Sequence, residues 1–365
     1  VAEQCKADLD EALEEAGDDR RVRGQVALAH AVRTFSAGRL KEARDHATDA
    51  AVFFEDDGDR RGAAQAAVAM GRITLAHGEL DSAQAQLEHA LAQFQRIGDR
   101  GSEVTARLEL GHLAMTRGGD AIVAAGQLQA ALDGAVSLGD LEAAGRCHAA
   151  LGLLALEGGD DHTAEEHVEG AAYAHRRTSR EGAAAALGLM GLLETRRGRL
   201  GMAERRLSDA GKTLEALGAS RQLRVFRAYE AWVVMTRGDT ERAAGLLDAI
   251  EGPSDVDGEA VTRGVRALLT GGRPPDLELP TVHGRLLRSM AGDQAGDEAD
   301  DGRVIQVESE GRWFQVGDKP LAELGHRKPM RRILLGLASA REKTPGVGMS
   351  TEAIFEAGWP GERAS

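Results

Sequence analysis

The side chains able to do chemistry are few in this 365-residue chain, and their spacing argues against each chemistry in turn. His162 and His167, in HTAEEH, stand five apart, off the i, i+4 step that brings two imidazoles onto one helix face for zinc. Cys5 and Cys147 are the only cysteines, 142 positions apart and without Cys-x-x-Cys spacing, so neither a disulfide framework nor a zinc site is indicated. RRTSR over 176–180 would suit a basophilic kinase, but it falls at a turn between helical stretches, where such short matches are usually accidental. No Gly-rich phosphate loop, nucleophile elbow or paired-carboxylate constellation is written into the chain. The expectation is a protein that is not an enzyme and holds no metal or cofactor, so its function lies in binding. One cationic cluster, Arg327, Lys328, Arg331 and Arg332, reads either as a phosphate-proximal patch or as a solvated helix face.

Composition sets the background for those side chains. With 42% hydrophobic and 28% charged residues, the chain can bury ample core in two or more units. No stretch approaches the roughly 18 apolar residues of a membrane span, and the two cysteines suit a reducing cytosol, so a cytoplasmic protein without a membrane partner is expected. Val1 reads as a cut end. Net charge is −14 but unevenly divided: residues 303–365 carry ten Lys/Arg against eight Asp/Glu, or +2, which leaves −16 on residues 1–302. An acidic body repels nucleic acid and the tail does not. Four of the twelve aromatics (Trp313, Phe314, Phe355, Trp359) also fall in that tail, which suggests two kinds of domain.

The first part is periodic. Gly recurs at 38, 78, 118, 158, 198 and 238, a constant step of 40, and a second series (Gly17, Gly58, Gly98, Gly139, Gly218) lies half a period away. Between these points run Pro-free segments rich in Ala, Leu, Arg, Glu and Gln, with apolar residues at three- and four-residue steps, as in SAQAQLEHALAQFQRI over 82–97. These are expected to be helices of roughly 18 residues. The Gly should cap one helix at its C-terminus, and the Asp, Glu or Thr after it should start the next. Each 40-residue unit is then a helical hairpin.

This pattern resembles the tetratricopeptide repeat, in the longer-helix form of bacterial regulators. Gly71, Gly111, Gly152 and Gly191 match the close-packing position of the first helix; Ala43, Ala83, Ala164, Ala203 and Ala243 match the opening of the second, and Ala50, Ala90, Ala171 and Ala210 follow seven residues later. The chain departs from the family in its longer period (about 34 residues is usual) and in lacking the Trp and Tyr of the first helix and the closing Pro. The resemblance implies an α-solenoid over 1–250, with a concave face formed by the first helices. By that register the partner-binding groove for a protein or peptide includes Gln65, Arg72, Thr105, His112 and Arg196, with plain solvent exposure as the alternative. The segment 8–21 aligns with a second helix, so its first-helix partner is expected to precede Val1. Residues 251–291 read as degenerate capping helices, near 258–270 and 281–291 around GGRPPD, and 292–302 as a flexible acidic linker.

The tail, 303–365, changes period. RVIQVES and RWFQVGD alternate around Glu310-Gly311 as a hairpin would, KPLAEL adds a short edge strand, and 327–342 forms an amphipathic helix with Met330, Ile333, Leu334 and Leu337 on its apolar face. Ser350 then caps a helix over TEAIFEAG. With Arg312-Trp313-Phe314, Arg331-Arg332, Pro345-Gly346 and above all Gly358-Trp359-Pro360-Gly361-Glu362-Arg363, this order resembles the start of an OmpR/PhoB-type winged helix. The resemblance implies a small α+β domain without its recognition helix and wing. It places Arg327, Lys328, Arg331, Arg332, Ser350, Thr351 and Arg363 near DNA phosphate, with specific DNA binding reserved for the full-length protein. Two functions follow: a bacterial transcriptional regulator or signalling protein whose repeats bind a protein or ligand and whose tail acts on DNA, or an interaction scaffold with a structural tail, attached to an upstream ATPase or Ser/Thr kinase. The carboxylates of the linker (Asp293, Asp297, Glu298, Asp300, Asp301) either shield the basic helix from phosphate or serve as an inert tether.

Overall fold

The computed structural model describes residues 17–118, 121–250, 255–272, 281–295, 305–307, 313–316, 322–324, 328–343 and 351–358. The expectations for 1–16 and 296–302, and for Arg312, Arg327, Pro345-Gly346, Ser350 and Trp359 to Arg363, lie outside them. The chain divides into two compact units, Val1–Ala291 and Gly292–Ser365.

Six helical hairpins make up most of the first unit: α1 (Arg20–Ser36) with α2 (Leu40–Asp57), α3 (Arg60–Ala76) with α4 (Leu80–Ile97), α5 (Arg100–Arg117) with α6 (Ala121–Leu138), α7 (Leu141–Gly158) with α8 (Asp161–Thr178), α9 (Arg180–Arg196) with α10 (Leu200–Leu217), and α11 (Ser220–Thr236) with α12 (Thr240–Asp248). The Gly-Asp pairs explain the joints. Gly98 takes the left-handed conformation at φ 72°, where a Cβ would cost strain, and Asp99 Oδ1 accepts the Ser102 amide at 3.1 Å to cap the next helix. The period slips once. Gly158 is the last residue of α7 and Gly159 takes the left-handed turn at φ 80°. The joint before α7, at Gly139, already lies 41 residues after Gly98, so everything in α7 is displaced by one.

Within each hairpin the small residues set the helix separation. A Cβ on Gly71, Gly111, Gly152 or Gly191 would lie 2.7, 2.4, 2.8 and 2.8 Å from Leu87, Leu128, Val168 and Leu207 of the following helix, far inside van der Waals contact, so the first helix presents bare backbone and the second fills the space. Ala43, Ala83, Ala164, Ala203 and Ala243, with Ala50, Ala90, Ala171 and Ala210, are fully buried. Each buried Leu contributes about 1.5–3 kcal/mol. Ion pairs tie one hairpin to the next on the surface, among them Arg61–Asp99 at 2.6 Å and Arg197–Glu165 at 2.7 Å.

One expectation about membranes is corrected. Among the described residues α6 is long and apolar enough to cross one by length and composition; here it is the second helix of the third hairpin, with Leu128, Ala131 and Ala135 buried against its neighbours.

After α12 come α13 (Val256–Leu269) and α14 (Val282–Ala295). They join the largest apolar cluster through Val261, Val265, Leu286, Leu287 and Met290, which pack with Tyr229 and Trp232 of α11.

The second unit holds a three-stranded antiparallel sheet in the order β1 (Ile305–Val307), β2 (Trp313–Val316), β3 (Ala322–Glu323). The register pairs Ile305 with Val316 and Val307 with Phe314. Helices α15 (Lys328–Lys343) and α16 (Thr351–Gly358) follow and pack on each other, Gly358 lying against Ile333. Met330 and Leu337, expected on the apolar face of α15, are 49% and 40% exposed; Ile333 and Leu334 are half-buried.

Candidate functional site

The first helices of successive hairpins turn their inner faces toward a cavity of about 250 Å³ in the first unit. The superhelix comes round far enough for α1 to meet α11: the guanidinium carbons of Arg72 (α3) and Arg221 (α11) stand 4.9 and 4.6 Å from the centre of the Phe35 ring, at the end of α1, a favourable cation–π geometry.

Glu109, on α5, is the electrostatic centre of this wall. Its Oε1 accepts Arg72 Nε at 3.1 Å and Arg146 Nη2 at 2.5 Å, and its Oε2 lies 3.5 Å from His112 Nδ1. Burial alone would push this carboxyl up, but the charge of Arg72, the hydrogen bond from His112 and the charge of Arg146 outweigh it and hold Glu109 well below the usual carboxylate range. A second pair closes the other side, where Arg221 Nη1 donates to Asp255 Oδ2 at 2.8 Å while Asp255 Oδ1 caps α13 through the Gly258 amide at 2.8 Å. His175 and His283 also line the cavity, and burial keeps both more readily neutral than a free imidazole. Gln222 Oε1, Asp257 Oδ1, His175 Nδ1 and His283 Nδ1 are buried cavity-lining atoms without a protein hydrogen-bond partner, groups a polar guest or water would satisfy.

The groove residues expected from sequence divide in two. Arg72 and His112 lie in the cavity wall. Gln65 instead reaches Ser102 at 3.4 Å between α3 and α5, Thr105 is half-buried on α5 away from the lining, and Arg196 pairs with Asp161 at 2.8 Å at the end of α9. Sequence reasoning missed Glu109, Arg146, Arg221 and Asp255. One signal was present: Arg72, Glu109 and Arg146 are each 37 positions apart, one helical turn short of the 40-residue repeat. The other candidates gather nothing. His162 is exposed beside Glu166, and no group of three or more potential metal ligands exists among the described residues. His167 meets His148 instead, Nδ1 to Nδ1 at 3.0 Å. Cys147 is buried, its thiol pushed up to about 11, so it carries little nucleophilic thiolate. In the second unit Lys328 and Arg332 are exposed and Arg331 is half-buried, while Thr351 opens α16.

No protein-family model and no curated protein matches the chain. Among solved structures it is similar to a Rap protein complexed with Competence and Sporulation Factor, at 15% identity and a TM-score of 0.56, covering 76% of this chain and 77% of that one. It is also similar to BtubC (BKLC) from P. vanneervenii, at 16% identity and a TM-score of 0.44, over 65% of this chain and 91% of that one. The Rap likeness, together with the consecutive hairpins, shows a tetratricopeptide-like α-solenoid.

Proposed function

We propose that this protein is an interaction scaffold whose concave cavity takes a protein or peptide segment. The observation that carries the reading is the cavity itself: six successive inner helices and α13 converge on it with three arginines, three histidines and three carboxylates, where a purely structural solenoid would pack leucine. Charged and polar groups placed this way select a guest by complementarity more than by area. The Rap neighbour was solved with a factor bound, which makes ligand binding a use open to this fold. On this reading the scaffold acts by binding, in a reducing cytosol. A photo-crosslinking side chain at Gln222, inside the cavity, should capture a partner that one at Val52, on the outer surface, does not. Equal capture at both positions would sink the reading.

A second reading, output to DNA by the OmpR/PhoB-like tail, is favoured by one observation: three antiparallel strands precede two helices in the chain, with Lys328 and Arg332 exposed on the first. Changing Lys328, Arg331 and Arg332 to Gln should lower duplex affinity and flatten its salt dependence. Affinity unchanged at low salt would remove the reading.

A further inference from the structure

Two of the residues that line the cavity, Val282 and His283, belong to the start of α14. Thr281 Oγ1 caps α14 by accepting the Gly284 amide at 3.1 Å, and the helix then crosses the inner face rather than extending the stack. Its contacts reach far back in the sequence. Tyr229 of α11 donates its hydroxyl to the His283 carbonyl at 2.7 Å. Arg285 Nη2 donates to the Met115 carbonyl at 2.5 Å and Nη1 to that of Thr116 at 3.4 Å, while its Nε pairs with Glu157 of α7. Met115 and Thr116 close α5, so the guanidinium lies where free carbonyls and the negative end of the helix dipole concentrate. Gly118 leaves room for it: a Cβ there would sit 2.9 Å from Arg285 Nη1.

These contacts describe a receptor surface as much as a strut. Val282, Leu286, Leu287 and Met290 form one apolar stripe, all but fully buried, and Arg285, beside it, supplies the long polar reach to α5 and α7. The attachment is by side chains; among the described residues no other helix backbone comes as near α14 as hairpin partners come to one another. In sequence the helix is bracketed by GGRPPD on one side and GDEADDG on the other.

We propose that the inner groove is a receptor for an amphipathic α-helix carrying an arginine beside a Val-x-x-x-Leu-Leu-x-x-Met stripe, and that α14 occupies it in cis. A partner helix of the same chemistry enters by displacing α14, so engagement of the scaffold releases the segment joining the repeats to the second unit. This deepens the scaffold reading and rests on it. The cis helix, tethered at high effective concentration, lowers the apparent affinity for a competitor by the fraction of time it stays docked.

The test is a fluorescent peptide of residues 281–295 titrated with the whole chain, wild type and Arg285→Ala. The substitution removes the arginine from the cis helix only. With hydrogen bonds to a charged group worth about 1.5–3 kcal/mol and 1.4 kcal/mol per tenfold, the variant should bind the peptide about tenfold or more tightly than wild type. Glu157→Gln weakens cis and trans helices alike and should leave peptide affinity near the wild-type value. Hydrogen exchange on the wild-type chain supplies a readout independent of any variant: α14 amides should open at least about tenfold more often than those of α11. Peptide binding that Arg285→Ala leaves unchanged, or α14 protection equal to that of α11, overturns the proposal. Either result leaves the scaffold reading to its own test at Gln222.

Discussion

Glu109→Gln isolates what the buried charge centre contributes. The substitution keeps the shape and one carbonyl acceptor but removes the charge that compensates Arg72 and Arg146. Glu109 is 3% exposed, while the two arginine side chains keep 25% and 30% of their surface in water. Removing one partner of a fully buried ion pair costs about 3–5 kcal/mol; partial hydration of both cations reduces this to about 2 kcal/mol. At roughly 2–4 °C per kcal/mol for a unit of this size, thermal unfolding followed by circular dichroism should shift down by about 4–8 °C. Salt should restore little of the loss, because the centre is buried. The surface pair Arg197–Glu165, in which the carboxylate is 43% exposed, is the control: Glu165→Gln should cost under about 1 kcal/mol. A shift below about 1 °C for Glu109→Gln would refute the electrostatic account of the cavity wall.

The same chemical change should have opposite signs at two helical glycines: Gly111→Ala drives a Cβ to 2.4 Å from Leu128 and should destabilise by about 1–3 kcal/mol, whereas Gly126→Ala meets nothing within 4 Å and should stabilise by about 0.5–1 kcal/mol, both read by urea denaturation. Burial lowers the pKa of His148, His167, His175 and His283, so the unfolded chain takes up protons near pH 6.5 that the folded one refuses. Stability should therefore be fully present above about pH 7 and decline toward pH 5, and a melting temperature flat across that range would contradict this. The depressed Glu109 acts in a lower window, its contribution present above about pH 4.5 and lost as acid titrates it.

The repeat was legible because it is local. Gly98-Asp99 states a turn and a cap in two residues, and Gly71 with Ala83 states how closely two helices pack; neither depends on distant chain. The cavity was legible only in part, since its composition depends on superhelical twist. Arg72 and Arg146 meet Glu109 because neighbouring inner helices are offset by one turn, turning a 40-residue repeat into a 37-residue ladder of contacts. Register alone therefore put Gln65, Thr105 and Arg196 beside Arg72, where the structure places them elsewhere. The sequence marked a degenerate capping helix near 281–291, but nothing in VHGRLLRSM says that its Arg285 will close the end of α5, some 170 residues earlier.

The most direct measurement is the affinity of the partner captured at Gln222 for two single variants, Arg146→Ala in the cavity wall and Arg196→Ala outside it, by isothermal titration calorimetry. Arg146→Ala should weaken binding by about tenfold or more, as expected for a desolvated charge at the centre of an interface, while Arg196→Ala should stay within about twofold. Undiminished affinity in Arg146→Ala, or an equal loss in both variants, would contradict the placement of the partner in the concave cavity.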